Sequence, residues 1–119
     1  MNPIKQWLKS AHYASQGLLF LLKTERNFQI QTGVIVITSL LGFYFDISKT
    51  EWLIQLICMG AVTGAEAINT AIEKLCDHIT PEHHLQIKRV KDMAAGGVAV
   101  LTTFSILIGI LIYYPYIFS

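Results

Sequence analysis

Ile4, Trp7, Leu8, Ala11, Leu18, Leu19 and Leu22 recur at three- and four-residue spacing, with Ser15 in the same register. Lys5, Gln6, Lys9, Ser10, Tyr13 and Gln16 fill the positions between them. This pattern predicts an amphipathic helix over about residues 3–23, with a basic polar face suited to a membrane interface. A core-facing helix of a soluble bundle has the same period, but the segments that follow argue against one. Residues 27–45 are uncharged and mostly apolar, about long enough to cross a bilayer. Gln29, Gln31 and Thr32 make the first turns of this segment polar and place them at the interface or against other helices. A short polar turn, DISKTE, leads to Trp52 at an interfacial position, and a second span is predicted over 51–78. Ile79-Thr80-Pro81 breaks it, with Thr80 as an N-cap and Pro81 at the first position of a short polar helix before Lys91. The third span, 92–117, is charge-free from Met93 onward. Its start, AAGG, lets a neighbouring helix approach closely, and its end, YYPYIF, supplies interfacial aromatics. The predicted architecture is one all-α membrane domain, with three transmembrane helices and an N-terminal amphipathic surface helix.

One feature breaks the apolar pattern. Glu66, Asn69, Glu73 and Asp77, in the run GAEAINTAIEKLCD, fall within an arc of roughly 80° on one side of a helix. Trp52 to Ala65, just before them, carries no charge. Carboxylates facing hydrocarbon are costly, so this face must point into a protein interior or a polar cavity and marks a functional site.

Composition agrees with a membrane protein. The 119 residues are 53% hydrophobic and 14% charged, against about 25% charge in an average soluble domain. Mean hydropathy is +0.49. The net charge of +1 and the lack of a basic stripe interleaved with aromatics argue against a nucleic-acid partner. Cys58 and Cys76 are too few for a disulfide framework, and Cys76 has no neighbours at convincing zinc spacing. Met1 to Leu22 lacks the apolar core and small-residue cleavage site of a secretory signal.

Charge placement sets the orientation. Lys5, Lys9, Lys23 and Arg26 precede the first span, and Lys74, Lys88, Arg89 and Lys91 lie between the second and third. The first loop has only Lys49. The positive-inside rule puts the N-terminus and the second loop in the cytoplasm. Glu66 is then the deepest member of the stripe, about 10 Å along the axis from Glu73.

Glu25 before span one, Glu73 and Asp77 at the end of span two, and Lys91-Asp92 before span three all meet one membrane level. Carboxylates are hard oxygen ligands of the kind magnesium takes, usually one or two together with substrate phosphates. Lys91 offers a point charge to a phosphate. Glu66 is a candidate proton acceptor, with Asn69 one turn away to hold it or a substrate oxygen. The ensemble suits phosphoryl transfer at a water–lipid boundary, where positioning and charge neutralisation dominate. No Walker A loop or protein-kinase signature is present. Duller readings exist for each piece. Glu25-Arg26 reads alone as a solvated helix end, Lys91-Asp92 as an anchor for span three, and Asp77 as a partner for Lys74. His83-His84 reads as interfacial. Glu66 has no basic residue within a turn, and Asn69 and Glu73 in register with it disfavour a purely structural stripe.

These residues resemble the small integral-membrane diacylglycerol kinases of bacteria, including their undecaprenol kinase branch. The resemblance covers nearly the whole chain and is strongest in AEAINTAIEKLCD, TPEHH and KDMAAGG. TERNF before span one is more similar to the undecaprenol kinase branch. The resemblance implies a homotrimer in the bacterial inner membrane, with active sites shared between subunits, and ATP with magnesium as phosphoryl donor. It implies Glu66 as catalytic base toward the lipid hydroxyl and Asn69 as its support. Glu25 and Glu73 match metal and nucleotide carboxylates, and Lys91 and Asp92 a nucleotide-binding pair. Glu82, His83 and His84 fall on a nucleotide-contacting segment, with His83 where the family carries tyrosine. Tyr13 aligns with a nucleotide-touching aromatic of the surface helix. Gln6 and Gln31 stand where some members carry arginine and glutamate, so lipid-side contacts do not carry over. The rival from another class is a small proton-coupled transporter using Glu66 as its intramembrane carboxylate.

Overall fold

The computed structural model describes residues 2–79 and 84–119, and four helices hold nearly all of them. The first helix, α1, is Pro3–Thr24. The Asn2 side chain accepts a hydrogen bond from the Ile4 N–H at 2.8 Å, and Pro3 occupies the first turn, where its missing N–H costs nothing. No residue of α1 is buried, and Ile4, Trp7, Leu8, Leu18 and Leu19 all face outward. An amphipathic helix whose apolar face finds no cover in its own chain fits the lipid interface predicted for it.

The chain turns into α2, Arg26–Tyr44, through a single extended residue, Glu25. Gln29 reaches back across this break and donates from Nε2 to the Leu22 carbonyl at 2.8 Å. The far end of α2 closes as a Schellman motif. Asp46 takes the left-handed conformation (φ 50°), its N–H reaches the Phe43 carbonyl, and the Ile47 N–H reaches the Gly42 carbonyl. Ile47 buries itself against Leu41 as the motif's hydrophobic contact. Gly42 is there because Trp52 lies on top of it. A Cβ at this position would come within 2.6 Å of the indole ring.

Helix α3, Lys49–Ile79, begins with a reciprocal capping box. The Glu51 carboxylate accepts from the Ser48 N–H at 2.9 Å, and the Ser48 hydroxyl accepts from the Glu51 N–H at 3.1 Å. Helix α4, Leu85–Ile117, packs along α3 and contains Pro115 near its end. At 1.5 Å per residue α3 and α4 run about 46 and 50 Å, beyond the ~30 Å hydrocarbon thickness. Both are long and apolar enough to cross a membrane.

One expectation changes. The polar segment before Lys91 was predicted as a short helix separate from a span starting at 92. Instead α4 is continuous from Leu85, because the His84 side chain caps it by accepting from the Gln86 N–H at 3.2 Å and no Pro or Gly interrupts 85–95. Thr80 and Pro81, predicted as cap and first turn, lie outside the described residues.

The best-packed region is the end remote from Glu66. Ile47, Ile112 and Tyr113 are buried there, with Leu41, Phe45, Trp52, Ile108 and Tyr116 around them. The Tyr113 hydroxyl donates to Gln55 Oε1, Gln55 Nε2 donates to the Thr38 carbonyl at 3.4 Å, and the Tyr116 hydroxyl donates to Glu51. Elsewhere the helices present long apolar faces, among them Val34, Ile37 and Leu40 on α2 and Phe104, Leu107 and Leu111 on α4. Such faces suit lipid or further copies of the chain and not water.

Candidate functional site

Glu66 is 6% exposed, and Asn69 and Thr70 beside it are equally buried. The deeper part of the stripe turns inward at Glu66 and Asn69, Glu73 is half-buried, and Asp77 at its end is exposed. Asn69 donates from Nδ2 to Glu73 Oε1 at 3.3 Å. That bond fixes the amide's orientation, since the reverse would set a carbonyl against a carboxylate. It leaves Asn69 Oδ1 buried without a partner. Among the described residues no side chain hydrogen-bonds Glu66.

Glu66 looks into a cavity of about 490 Å³ between α2, α3 and α4. Asn27, Gln31 and Thr63 are polar members of its wall, Ile35, Met59 and Val62 are apolar ones, and the exposed Val34 and Ile106 line it as well. Thr38 and Gln55 stand at its other end. Asn27 to Thr38 spans about 16 Å of α2, close to one leaflet of a ~30 Å hydrocarbon core. Gln31 Oε1 is a second buried acceptor without a partner. A carboxylate at the head of an apolar slot one leaflet long is suited to an alcohol on a lipid chain.

The outer part of the site is a set of ion pairs. Lys74 lies 3.8 Å from Glu25, joining α3 to the α1–α2 break. Lys91 donates to Asp77 at 2.7 Å, joining α4 to α3. Lys88 donates to Asp92 at 2.6 Å within α4. Lys91 precedes the apolar stretch of α4, and its ammonium is held above the usual lysine range by the Asp77 hydrogen bond, with Glu73 adding to the attraction. It stays charged at neutral pH.

Through these pairs Glu25 and Lys91 meet the same end of α3, at Lys74 and Asp77. Asp77 is exposed and tied to Lys91, not to Lys74. Asp92 is exposed and held by Lys88. Tyr13 is exposed on α1, one turn before Gly17, which lines a crease between α1 and α3. The His84 side chain is engaged in capping α4. Glu82 and His83 lie outside the described residues. Sequence reasoning passed over Lys74 as a member of the site, and no spacing within one helix signals it. At the remote end, outside the site, it also passed over the Ser48–Glu51 capping box, although S-x-x-E before an apolar run was available.

Among the described residues no three His, Cys, Asp or Glu side chains gather closely enough to hold a metal by themselves. Magnesium asks less of a protein, one or two carboxylates and the rest from phosphates and water. Glu25 and Glu73 have the chemistry for an ion that arrives with a phosphate chain, and Asn69, bonded to Glu73, keeps a buried oxygen without a partner.

Comparison with known proteins defines the class. The model of the prokaryotic diacylglycerol kinase family matches residues 12–113. An undecaprenol kinase of Bacillus subtilis (strain 168) is 38% identical over 114 residues, covering 96% of this chain and 93% of its own length. A diacylglycerol kinase of Synechocystis sp. is 32% identical over 105 residues, 86% of this chain and 59% of that protein. A diacylglycerol kinase of Escherichia coli (strain K12) is 25% identical over 93 residues, 78% and 76% of the two chains. The all-helical, apolar protein described above is a lipid kinase of the membrane. It belongs to the prokaryotic diacylglycerol kinase family. The transporter alternative finds no support among these relatives.

Proposed function

We propose that this chain transfers the γ-phosphate of ATP to the hydroxyl of a membrane lipid, and that undecaprenol is the acceptor it prefers over diacylglycerol. The observation that carries the phosphotransfer reading is Glu66, a buried carboxylate at the head of an apolar cavity and one turn from the Asn69–Glu73 pair. The preference for the polyprenol rests on TERNF before α2 and on the extent of similarity to the Bacillus subtilis enzyme.

In this reading the lipid chain lies in the α2–α3–α4 cavity with its hydroxyl beside Glu66. The Glu66 carboxylate takes the hydroxyl proton as the lipid oxygen attacks the γ-phosphorus. The bond between that phosphorus and the bridging oxygen breaks, ADP leaves, and the lipid phosphate remains. Asn69 holds Glu73 and steadies the Glu66 side of the stripe. Glu25 and Glu73 would hold magnesium, which when bound neutralises charge on the phosphates. Lys91 faces the phosphate chain, and Asp92, Tyr13, Glu82, His83 and His84 contribute to nucleotide binding.

The three-span topology has α2 crossing with α3 and α4, the N-terminus in the cytoplasm and the protein in the bacterial inner membrane. Lysine and arginine placement supports this orientation. A homotrimer with sites completed by neighbouring subunits rests on the family resemblance, and the exposed apolar faces leave surface for it. The direct test offers undecaprenol and diacylglycerol, in one detergent, to the purified protein with radiolabelled ATP. Label should enter undecaprenol faster. Equal or reversed rates would reject the lipid assignment, and no label in either would reject the kinase reading.

A further inference from the structure

Three lysines lie at the outer end of the site, and their partners differ in strength. Lys88 and Lys91 each make a close hydrogen-bonded pair, at 2.6 and 2.7 Å. Lys74 is held only loosely, 3.8 Å from Glu25 and 5.6 Å from the centre of the Phe20 ring. The Lys74 side chain is 52% exposed and that of Glu25 is 26% exposed. An ion pair this long and this wet adds little to stability, and an exposed cation–π contact adds about as little. Lys74 can therefore leave both without a large loss. Its partner, Glu25, is one of the two carboxylates that the proposed function needs free for a metal.

We propose that Lys74 is a phosphate-binding residue parked on Glu25, and that arrival of the nucleotide moves its ammonium onto the phosphate chain. The inference rests on the proposed function. Three features of the fold support it. Lys74 directly follows Glu73, so its backbone is anchored beside the second carboxylate. It borders the crease between α1 and α3, whose wall is small and apolar at Ala14, Gly17, Ala67 and Ala71. It also touches Phe20 of α1 and Glu25 at the α1–α2 break, which keeps its ammonium at the outer end of the site. In the parked state the ammonium masks the Glu25 charge. In the bound state it meets phosphate oxygens, a charge-assisted contact stronger than the one it left.

The test is equilibrium binding of a fluorescent ATP analogue to the full-length protein in detergent, with and without magnesium, alongside thermal melting. Lys74→Met should weaken analogue binding about tenfold in both conditions, Lys74→Arg should stay within about threefold of the parent, and neither should move the melting temperature. Unchanged binding by Lys74→Met would overturn the inference. So would a loss of binding that accompanies a fall in melting temperature and that arginine does not restore. If the parent protein itself binds no analogue and phosphorylates no lipid, it is the kinase reading that fails.

Discussion

Asn69 gives both of its amide functions to buried surroundings and satisfies only one, donating to Glu73 at 3.3 Å while Oδ1 stays without a partner. A buried acceptor left open is costly, typically about 1–3 kcal/mol, and is tolerated where something else supplies the missing donor. In the proposed site that donor arrives with the substrates.

Asn69→Asp keeps the shape and reverses the chemistry, placing a second carboxylate against Glu73. Turnover should fall at least about tenfold, and the magnesium concentration for half-maximal rate should shift, as expected for two like charges one helical turn apart. A magnesium titration of activity checks this. A parent-like curve would remove Asn69 from the metal-facing side of the site.

Lys91 is bound to Asp77 in this state, and both side chains are partly in water. An ion pair this exposed adds little to stability. Lys91→Met should therefore leave the melting temperature nearly unchanged while raising the KM for ATP about tenfold or more. A large melting shift with an unchanged KM would make Lys91 an anchor of α4 instead.

Gly42→Ala would drive a methyl group into the Trp52 ring, with a contact of 2.6 Å before relaxation. The ring already meets Phe43 in a tilted contact, at 4.8 Å between centroids, which it would have to give up to move aside. Overpacking of this kind costs about 1–3 kcal/mol, seen as a lower melting temperature and a changed tryptophan emission.

Glu51 serves two masters, the Ser48 N–H and the Tyr116 hydroxyl. Ser48→Ala should destabilise by about 1 kcal/mol, as for other N-caps. Glu51→Ala should cost more, because it also strands Tyr116, and its effect combined with Tyr116→Phe should be less than additive. Thermal melts of the two singles and the double decide it.

The sequence was most readable where period and burial coincide. Glu66 and Asn69 are buried and Glu73 half-buried, because their spacing puts them on one face and a carboxylate face turned to hydrocarbon is costly. The reading was weaker where a partner sits on another helix. Asp77 shares the stripe's angular position but has run past the bundle, so it is exposed and meets Lys91. Lys74 looked like a neighbour for Asp77 and instead reaches Glu25, a contact created by the chain reversal between α1 and α3. Polarity before Lys91 read as a break in α4, yet polar residues without Pro or Gly continue a helix readily once His84 caps it. The turn at Asp46 needed a left-handed residue that glycine usually supplies, so the Schellman closure gave no glycine signal.

Glu66→Gln tests the proposed base most directly. It preserves the side chain's volume while removing its negative charge and its ability to accept a proton. Phosphate transfer from radiolabelled ATP to undecaprenol, measured beside binding of a fluorescent ATP analogue, should show turnover reduced by about a hundredfold or more with binding nearly unchanged. Near-parent turnover by Glu66→Gln would contradict the assignment of Glu66 as the base.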